Sequence, residues 1–209
     1  MINRITPLLL SLSFAKDWLT TNAIIIMVFF FCSCEDTKTD STNIVDYGVV
    51  INEINYNSSD GFDPEDWVEL HNPTNETIAI GLWAFKDDND DHVFTLSENI
   101  VLSPGQYLVL CKDADVFSEL FPNVSKFVGD LGFGLSASGE LVRLFESNGL
   151  LIDEVEYDDV VPWPILADGN GPTVELINPS LDNALGENWA ASDGYGTPGA
   201  VNSVYVADE

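Results

Sequence analysis

Asp87-Asp88-Asn89-Asp90-Asp91, followed by Glu98, is the stretch whose residue types and spacing come nearest to a chemical site. With Asp87 as position 1, oxygen-bearing side chains fall at 1, 3, 5 and 12, with Thr95 at 9. That is the spacing with which a loop between two helices wraps calcium. Position 6, where such a loop turns sharply and requires glycine, is His92. The flanking residues read as strands, so a solvated hairpin tip is the stronger reading. Two further acidic groups lie in turn-rich sequence: Asp60, Asp63, Glu65 and Asp66 before Trp67, then Asp158, Asp159 and Asp168. Calcium could join such loops through carboxylate oxygens. No metal ligand is assigned from the sequence, and calcium is the one cofactor left open.

Other chemistries find less support. Glycoside hydrolysis needs two carboxylates at a defined separation. Beyond residue 33 the chain has 34 acidic and 5 basic residues, so some pair will satisfy any separation. No Ser-His-Asp context, zinc-type Cys/His spacing or phosphate-binding glycine loop is present; the glycines of Gly132–Glu140 serve turns. The histidines are His71 and His92. His71 reads as a satisfied structural or surface residue beside Asn72-Pro73. Cys111 ends a strand-like run and reads as a small buried hydrophobe. No catalytic residue is assigned, and the chain reads as a non-enzyme.

From Pro162 to Asn202 the sequence is rich in Pro, Gly and Asn, lacks His, Cys and Lys, and carries Trp163 and Trp189. This segment reads as an ordered strap that closes a β domain, with the two tryptophans pinning it down. The alternative for Trp163 and Trp189 is an aromatic platform for a glycan or peptide.

Charge narrows the partners. The 209 residues carry a formal net charge of -28 at pH 7. So acidic a surface repels phosphate backbones, whose affinity for proteins comes largely from Lys and Arg. It repels anionic membrane surfaces too, and it suits solubility outside the cell. Nucleic acid is therefore not an expected partner. With 45% hydrophobic residues the chain can build a core.

The N-terminal region reads as a leader. Residues 23–31 are uniformly apolar and follow Arg4 and Lys16. Such a run spans about 14 Å as a helix, short of a bilayer core of about 30 Å, and has the size of a signal-peptide apolar region. Phe31-Cys32-Ser33-Cys34 resembles a bacterial lipobox. Ser33 supplies the small residue expected before the modified cysteine, so Cys34 is the lipid-attachment residue rather than Cys32. Multiple acyl chains on Cys34 would anchor the protein stably where one chain is marginal. Glu35 and Asp36 resemble the acidic surface-export signal of Bacteroidota lipoproteins. The expected location is the cell envelope, at the outer membrane or cell surface. The expected organisation is a signal peptide over 1–33, a flexible acidic tether over 34–46, a β domain over 47–203 and a tail over 204–209.

The elements that position these residues are short strands. Val49–Ile51 opens the first, Trp67–Asn72 alternates apolar and polar residues, and Gln106–Cys111 is strongly β. Thr77–Ile80 and Leu82–Lys86 flank Gly81, and His92–Leu96 returns from the acidic hairpin tip. Asp113 can cap a helix over Asp113–Leu120 that Pro122 stops. Glu140–Phe145 and Leu151–Tyr157 pair across Asn148-Gly149, a tight-hairpin signal. Val174–Ile177 is a strand within the strap. Many short strands with turns about every 8–12 residues predict an all-β, two-sheet sandwich with one short helix. Its inward positions are predicted as Ile54, Trp67, Val68, Leu70, Leu82, Trp83, Phe94, Leu108, Leu110, Leu141, Leu144, Val155 and Tyr157.

In order, residues 49–57, 65–91, 94–113 and 132–159 with the Pro162–Asn202 strap resemble a lamin-tail domain of the bacterial extracellular type. The resemblance spans residues 47–203. It implies an immunoglobulin-like β-sandwich, in agreement with the strand pattern. It also implies an interaction module: in nuclear lamins the domain binds proteins and DNA, and bacterial relatives occur in secreted or surface proteins. The family has no catalytic residues to carry over. Envelope proteins or glycans are the partners this implies, with the membrane contacted through the lipid anchor.

Overall fold

The computed structural model describes residues 48–207, which fall within one compact unit, Ser41–Glu209. Cys34, the leader and the tether lie outside the described residues. Among the described residues no helix is long and apolar enough to cross a membrane.

Among the described residues twelve strands and one α-helix follow one another. The strands are β1 (Val50–Asn55), β2 (Trp67–His71), β3 (Ile78–Ala79), β4 (Ala84–Lys86), β5 (Phe94–Thr95), β6 (Val101–Leu102), β7 (Tyr107–Cys111), β8 (Phe127–Gly129), β9 (Glu140–Phe145), β10 (Leu151–Tyr157), β11 (Val174–Leu176) and β12 (Trp189–Ala191). The α-helix, α1 (Ala114–Leu120), lies between β7 and β8. The strands form a six-stranded sheet, β12-β11-β1-β2-β7-β8, a four-stranded sheet, β10-β9-β4-β5, and the small pair β3-β6. Pairing is antiparallel except between β7 and β8.

Two sheets each present an apolar face, and burying those faces against each other drives assembly. Ile51, Ile54, Val68, Leu70, Leu108, Leu110, Val174 and Leu176 from the six-stranded sheet meet Phe85, Val142, Leu144, Val155 and Tyr157 from the other. This is the two-sheet sandwich with one short helix that the strand pattern predicts, and the immunoglobulin-like fold that the resemblance implies.

The opposite face of the six-stranded sheet is covered as well, in two parts. α1 covers one end, where Phe117 packs with Trp67, Val109 and Cys111 in a separate apolar cluster. Asp113 caps the helix, its side chain accepting from the Val116 amide at 2.9 Å. The C-terminal strap, which runs on past Asn202 through Ser203 and into the expected tail as far as Val206, covers the neighbouring part, where the side chains beneath it are polar.

Several predicted inward positions are corrected. Trp67 is buried, but beneath α1 and not between the sheets. Alternation requires this, since Val68 and Leu70 point into the sandwich core. Leu82 is 50% exposed; its φ of 64° turns its side chain out of the β4 approach. On β9, Val142 and Leu144 are buried and Leu141 only partly so, because residues two apart share a face. Gly81 is required where it stands: a Cβ there would strike the Glu98 carbonyl.

A buried carboxylate cluster beneath the C-terminal strap

The candidate residues of the acidic hairpin tip are only partly brought together. Asp87 is buried, and its Oδ1 accepts from the Asn89 amide at 2.8 Å. Its Oδ2 lies 2.6 Å from His92 Nδ1, and this contact holds the imidazole above its ordinary pKa. Arg143 donates to the Asp87 carbonyl and pairs with Asp90 at 3.0 Å. Ligand oxygens of Asp87, Asp88 and Glu140 lie within 4.8 Å of one another, the one such group among the described residues. Glu140 comes from β9 and replaces Glu98 and Asp91 of the calcium-loop spacing. The loop joins two strands, β4 and β5, so the helix-loop-helix reading of that spacing is not realised.

The second acidic group carries its own cation. Lys112 Nζ bonds Glu65 Oε2 and lies 3.8 Å from Asp66 Oδ2, which accepts the Leu135 amide at 2.8 Å. In the third, Asp168 accepts from Asn57 at 2.6 Å. Burial pushes the Cys111 thiol up to about 12, with the charge of Asp130 next in effect. Its Sγ donates to the Val128 carbonyl, so it is a protonated core residue.

Trp163 and Trp189 are 7% and 4% exposed and belong to the main core. Their rings lie 5.7 Å apart, and Trp189 Nε1 donates to the Asn183 carbonyl at 2.9 Å. They pin the strap. Buried on all sides, neither presents the open ring face that an aromatic platform requires.

The site that sequence reasoning missed is a row of three glutamates. Glu175 on β11, Glu53 on β1 and Glu69 on β2 are register partners across three adjacent strands, and all three are fully buried. The strap seals them. Glu53 Oε1 accepts from Thr173 Oγ1 at 2.6 Å and from the Thr197 amide at 3.1 Å. Glu69 Oε1 accepts from Asn52 Nδ2 at 3.0 Å, and its Oε2 from the Gly199 amide. Glu175 Oε1 accepts from Thr197 Oγ1 at 2.7 Å, while its Oε2 accepts from Ser203 Oγ at 2.7 Å and the Val204 amide at 3.2 Å. No ion pair among the described residues reaches them. Burial, then repulsion from Glu69 and Glu175, lifts Glu53 well above the carboxylate range. Burial pushes Glu69 up to about 8. The available signal was the alternation of β2, which places Glu69 on the face of Trp67 and His71.

Beside this cluster a cleft of about 390 Å³ opens between sheet and strap, within the usual size range of small-ligand sites. Asn52, His71, Tyr107 and Leu176 line it from the sheet, Asn202 and Tyr205 from the strap. His71 stacks on Tyr107, with centroids 4.1 Å apart and planes 13° from parallel. His71 Nδ1 lies 3.2 Å from the Gln106 carbonyl, and burial holds its pKa down. Tyr205 is 46% exposed. The cleft offers aromatic faces and amides, with no nucleophile beside a base.

The class of protein this defines is an immunoglobulin-like sandwich whose outer polar side chains are tied into its own strap. Its family is shown by sequence as well: a family model for the Lamin Tail Domain matches residues 46–159, and the chain belongs to that family, a non-enzymatic immunoglobulin-like fold. The match ends before β11, β12 and the strap, which complete the six-stranded sheet here. Among curated proteins, the chain is 32% identical over 114 residues to the multifunctional procollagen lysine hydroxylase and glycosyltransferase LH3 of Homo sapiens and of Rattus norvegicus. That stretch is 54% of this chain and 13% of those proteins, so the chain spans a small part of the relatives' length. The activities in their name are those of the relatives.

Proposed function

We propose that this chain is a lipoprotein anchored through Cys34 in the cell envelope, where it displays a non-catalytic lamin-tail domain as a binding and scaffolding module. The observation that carries this reading is the lamin-tail match over residues 46–159. The apolar run 23–31 ending in Phe31-Cys32-Ser33-Cys34, and the acidic residues after it, support the anchor and an outward location. The acidic surface favours envelope proteins or glycans over nucleic acid. A second reading, an adhesion or glycan-binding module, is favoured by the cleft at His71, Tyr107 and Tyr205. Calcium stabilisation belongs to that reading, with Asp87, Asp88 and Glu140 as its ligands.

The test is a binding screen of the full-length chain against glycan and envelope-protein arrays, with Tyr205→Ala as the control. Binding that Tyr205→Ala lowers at least tenfold, with folding intact, supports the module. Turnover of polysaccharide or envelope substrates by the purified chain would overturn the non-enzyme assignment.

A further inference from the structure

The strap is held by an arrangement that an ordinary closing segment does not need. A row of three carboxylates in adjacent strands brings their Cα atoms to about 4.5–5.5 Å spacing, and placing like charges so close is unfavourable. Burying them without a cation adds the cost of removing them from water. Glu53 Oε2 is buried with no hydrogen-bond partner, so an ionised Glu53 would leave half its charge unsolvated. The strap passes so near that a Cβ on Gly196, at φ 93°, would strike Glu53 Oε1 and Thr173.

We propose that residues 196–204 form a proton-operated clasp: the strap stays seated on β1, β2 and β11 while the buried Glu53–Glu69 pair holds protons, and lifts when it releases them.

The surroundings supply no competing charge to offset the acids. Glu53 on β1 faces Glu69 on β2 and Glu175 on β11. On β2, His71 shares the outer face with Glu69, and its burial favours the neutral ring. On β7, Val109 opposes Glu69 in register and the Tyr107 phenol lies within its field. From the strap come Thr197, Gly199, Asn202, Ser203 and Tyr205. Between 193 and 206 the one carboxylate is the exposed Asp193, and there is no Lys or Arg. Lifting the strap hydrates Glu53 and Glu69 and returns them toward their ordinary range, so the seated state binds more protons than the lifted one. Raising pH must therefore favour lifting. For Glu69 the favourable contribution is complete below about 4.5 and is lost as pH passes about 8. Asn202 and Tyr205 line the cleft from the strap, so the clasp would govern that cleft whatever it binds.

Hydrogen exchange on the full-length chain at pH 5, 7 and 9, corrected for intrinsic rates, tests this. The reporters are the Thr197, Gly199 and Val204 amides, with the β9–β10 hairpin amides as reference. Between pH 5 and 9 the strap amides should lose at least about tenfold more protection than the hairpin amides lose, the equivalent of one pKa unit. Glu53→Gln should flatten the profile; if that variant does not fold, the wild-type profile decides alone. Excess chelator should change nothing at any pH. Strap protection that is constant with pH, falls in parallel with the hairpin, or depends on a divalent cation would overturn the clasp.

Discussion

Asn52 and Asn202, 150 positions apart, exchange two hydrogen bonds: Asn52 Nδ2 donates to Asn202 Oδ1 at 2.7 Å, and Asn202 Nδ2 donates to the Asn52 carbonyl at 3.0 Å. Asn202 Nδ2 also reaches the Leu176 carbonyl at 2.8 Å. One amide thus joins the strap to β11 and to the irregular register of β1, where the β1–β2 pairing shifts between Ile51 and Glu53. Asn52 spends its second donor hydrogen on Glu69. The pair is the hinge between the sheet's outer face, the strap and the carboxylate row.

Asn202→Ala leaves Asn52 and two carbonyls without partners in a buried place. Each unsatisfied group costs about 1–3 kcal/mol, and with partial relaxation the loss should be about 2–4 kcal/mol. Urea denaturation measures it. A loss within 0.5 kcal/mol, roughly the spread expected of neutral surface changes, would mean the hinge is not formed.

Asp153 offers a second pH test, at the contact of β10 with β1 and with the strap residue Asn183. Its Oδ2 accepts from the Ile51 amide at 2.6 Å and from Asn183 Nδ2 at 2.8 Å, joining the two sheets. Burial pushes its carboxyl up to about 6. A raised folded-state pKa means that stability is complete below the ordinary aspartate range and declines as pH rises through about 6. Thermal melts should therefore show a midpoint falling between pH 5 and pH 7, and Asp153→Asn should reduce that slope. A midpoint that rises over this interval in the wild type would contradict the assignment.

Trp189→Ala removes a core indole and its bond to the Asn183 carbonyl. Large-to-small core changes of this kind cost about 3–5 kcal/mol. Trp163→Ala should behave in the same way, through packing against Trp189. Both are read by chemical denaturation. Loss of ligand binding with unchanged stability would restore the aromatic-platform reading.

The sandwich was legible where local chemistry is decisive. Asn148-Gly149 set the β9–β10 hairpin, with Gly149 at φ 86°. Asp113 and Pro122 bounded α1. The alternation of β2 and the apolar run of β7 marked the centre of the large sheet. The carboxylate row was not legible, because alternation reports that a second face is polar but not that anything covers it. The cover arrives 144 positions after Glu53 and 130 after Glu69, too far for any periodicity to register. Trp67 was placed on the wrong side for the same reason: α1 supplies a second apolar layer that a one-face reading does not contain. β12 escaped because its neighbours are turns, and its pairing with β11 is fixed by tertiary packing around Trp189.

The acidic corner at Asp87, Asp88 and Glu140 makes a plain statement about metal. A calcium ion held there at about 100 times its Kd would add about 2.7 kcal/mol to stability, which a melt with calcium against chelator resolves. His92 already occupies Asp87 Oδ2, so the expected midpoint is the same in both. A clear rise with calcium would favour the adhesion-module reading.

The central claim, display at the cell surface through Cys34, is tested most directly by fractionation of cells carrying the full-length chain or Cys34→Ala, combined with protease shaving of intact cells. The wild type should partition with the outer membrane and be cleaved from outside, while Cys34→Ala should appear in the soluble fraction. A Cys34→Ala protein that stays membrane-bound, or a wild type resistant to shaving and found inside the cell, would contradict the account.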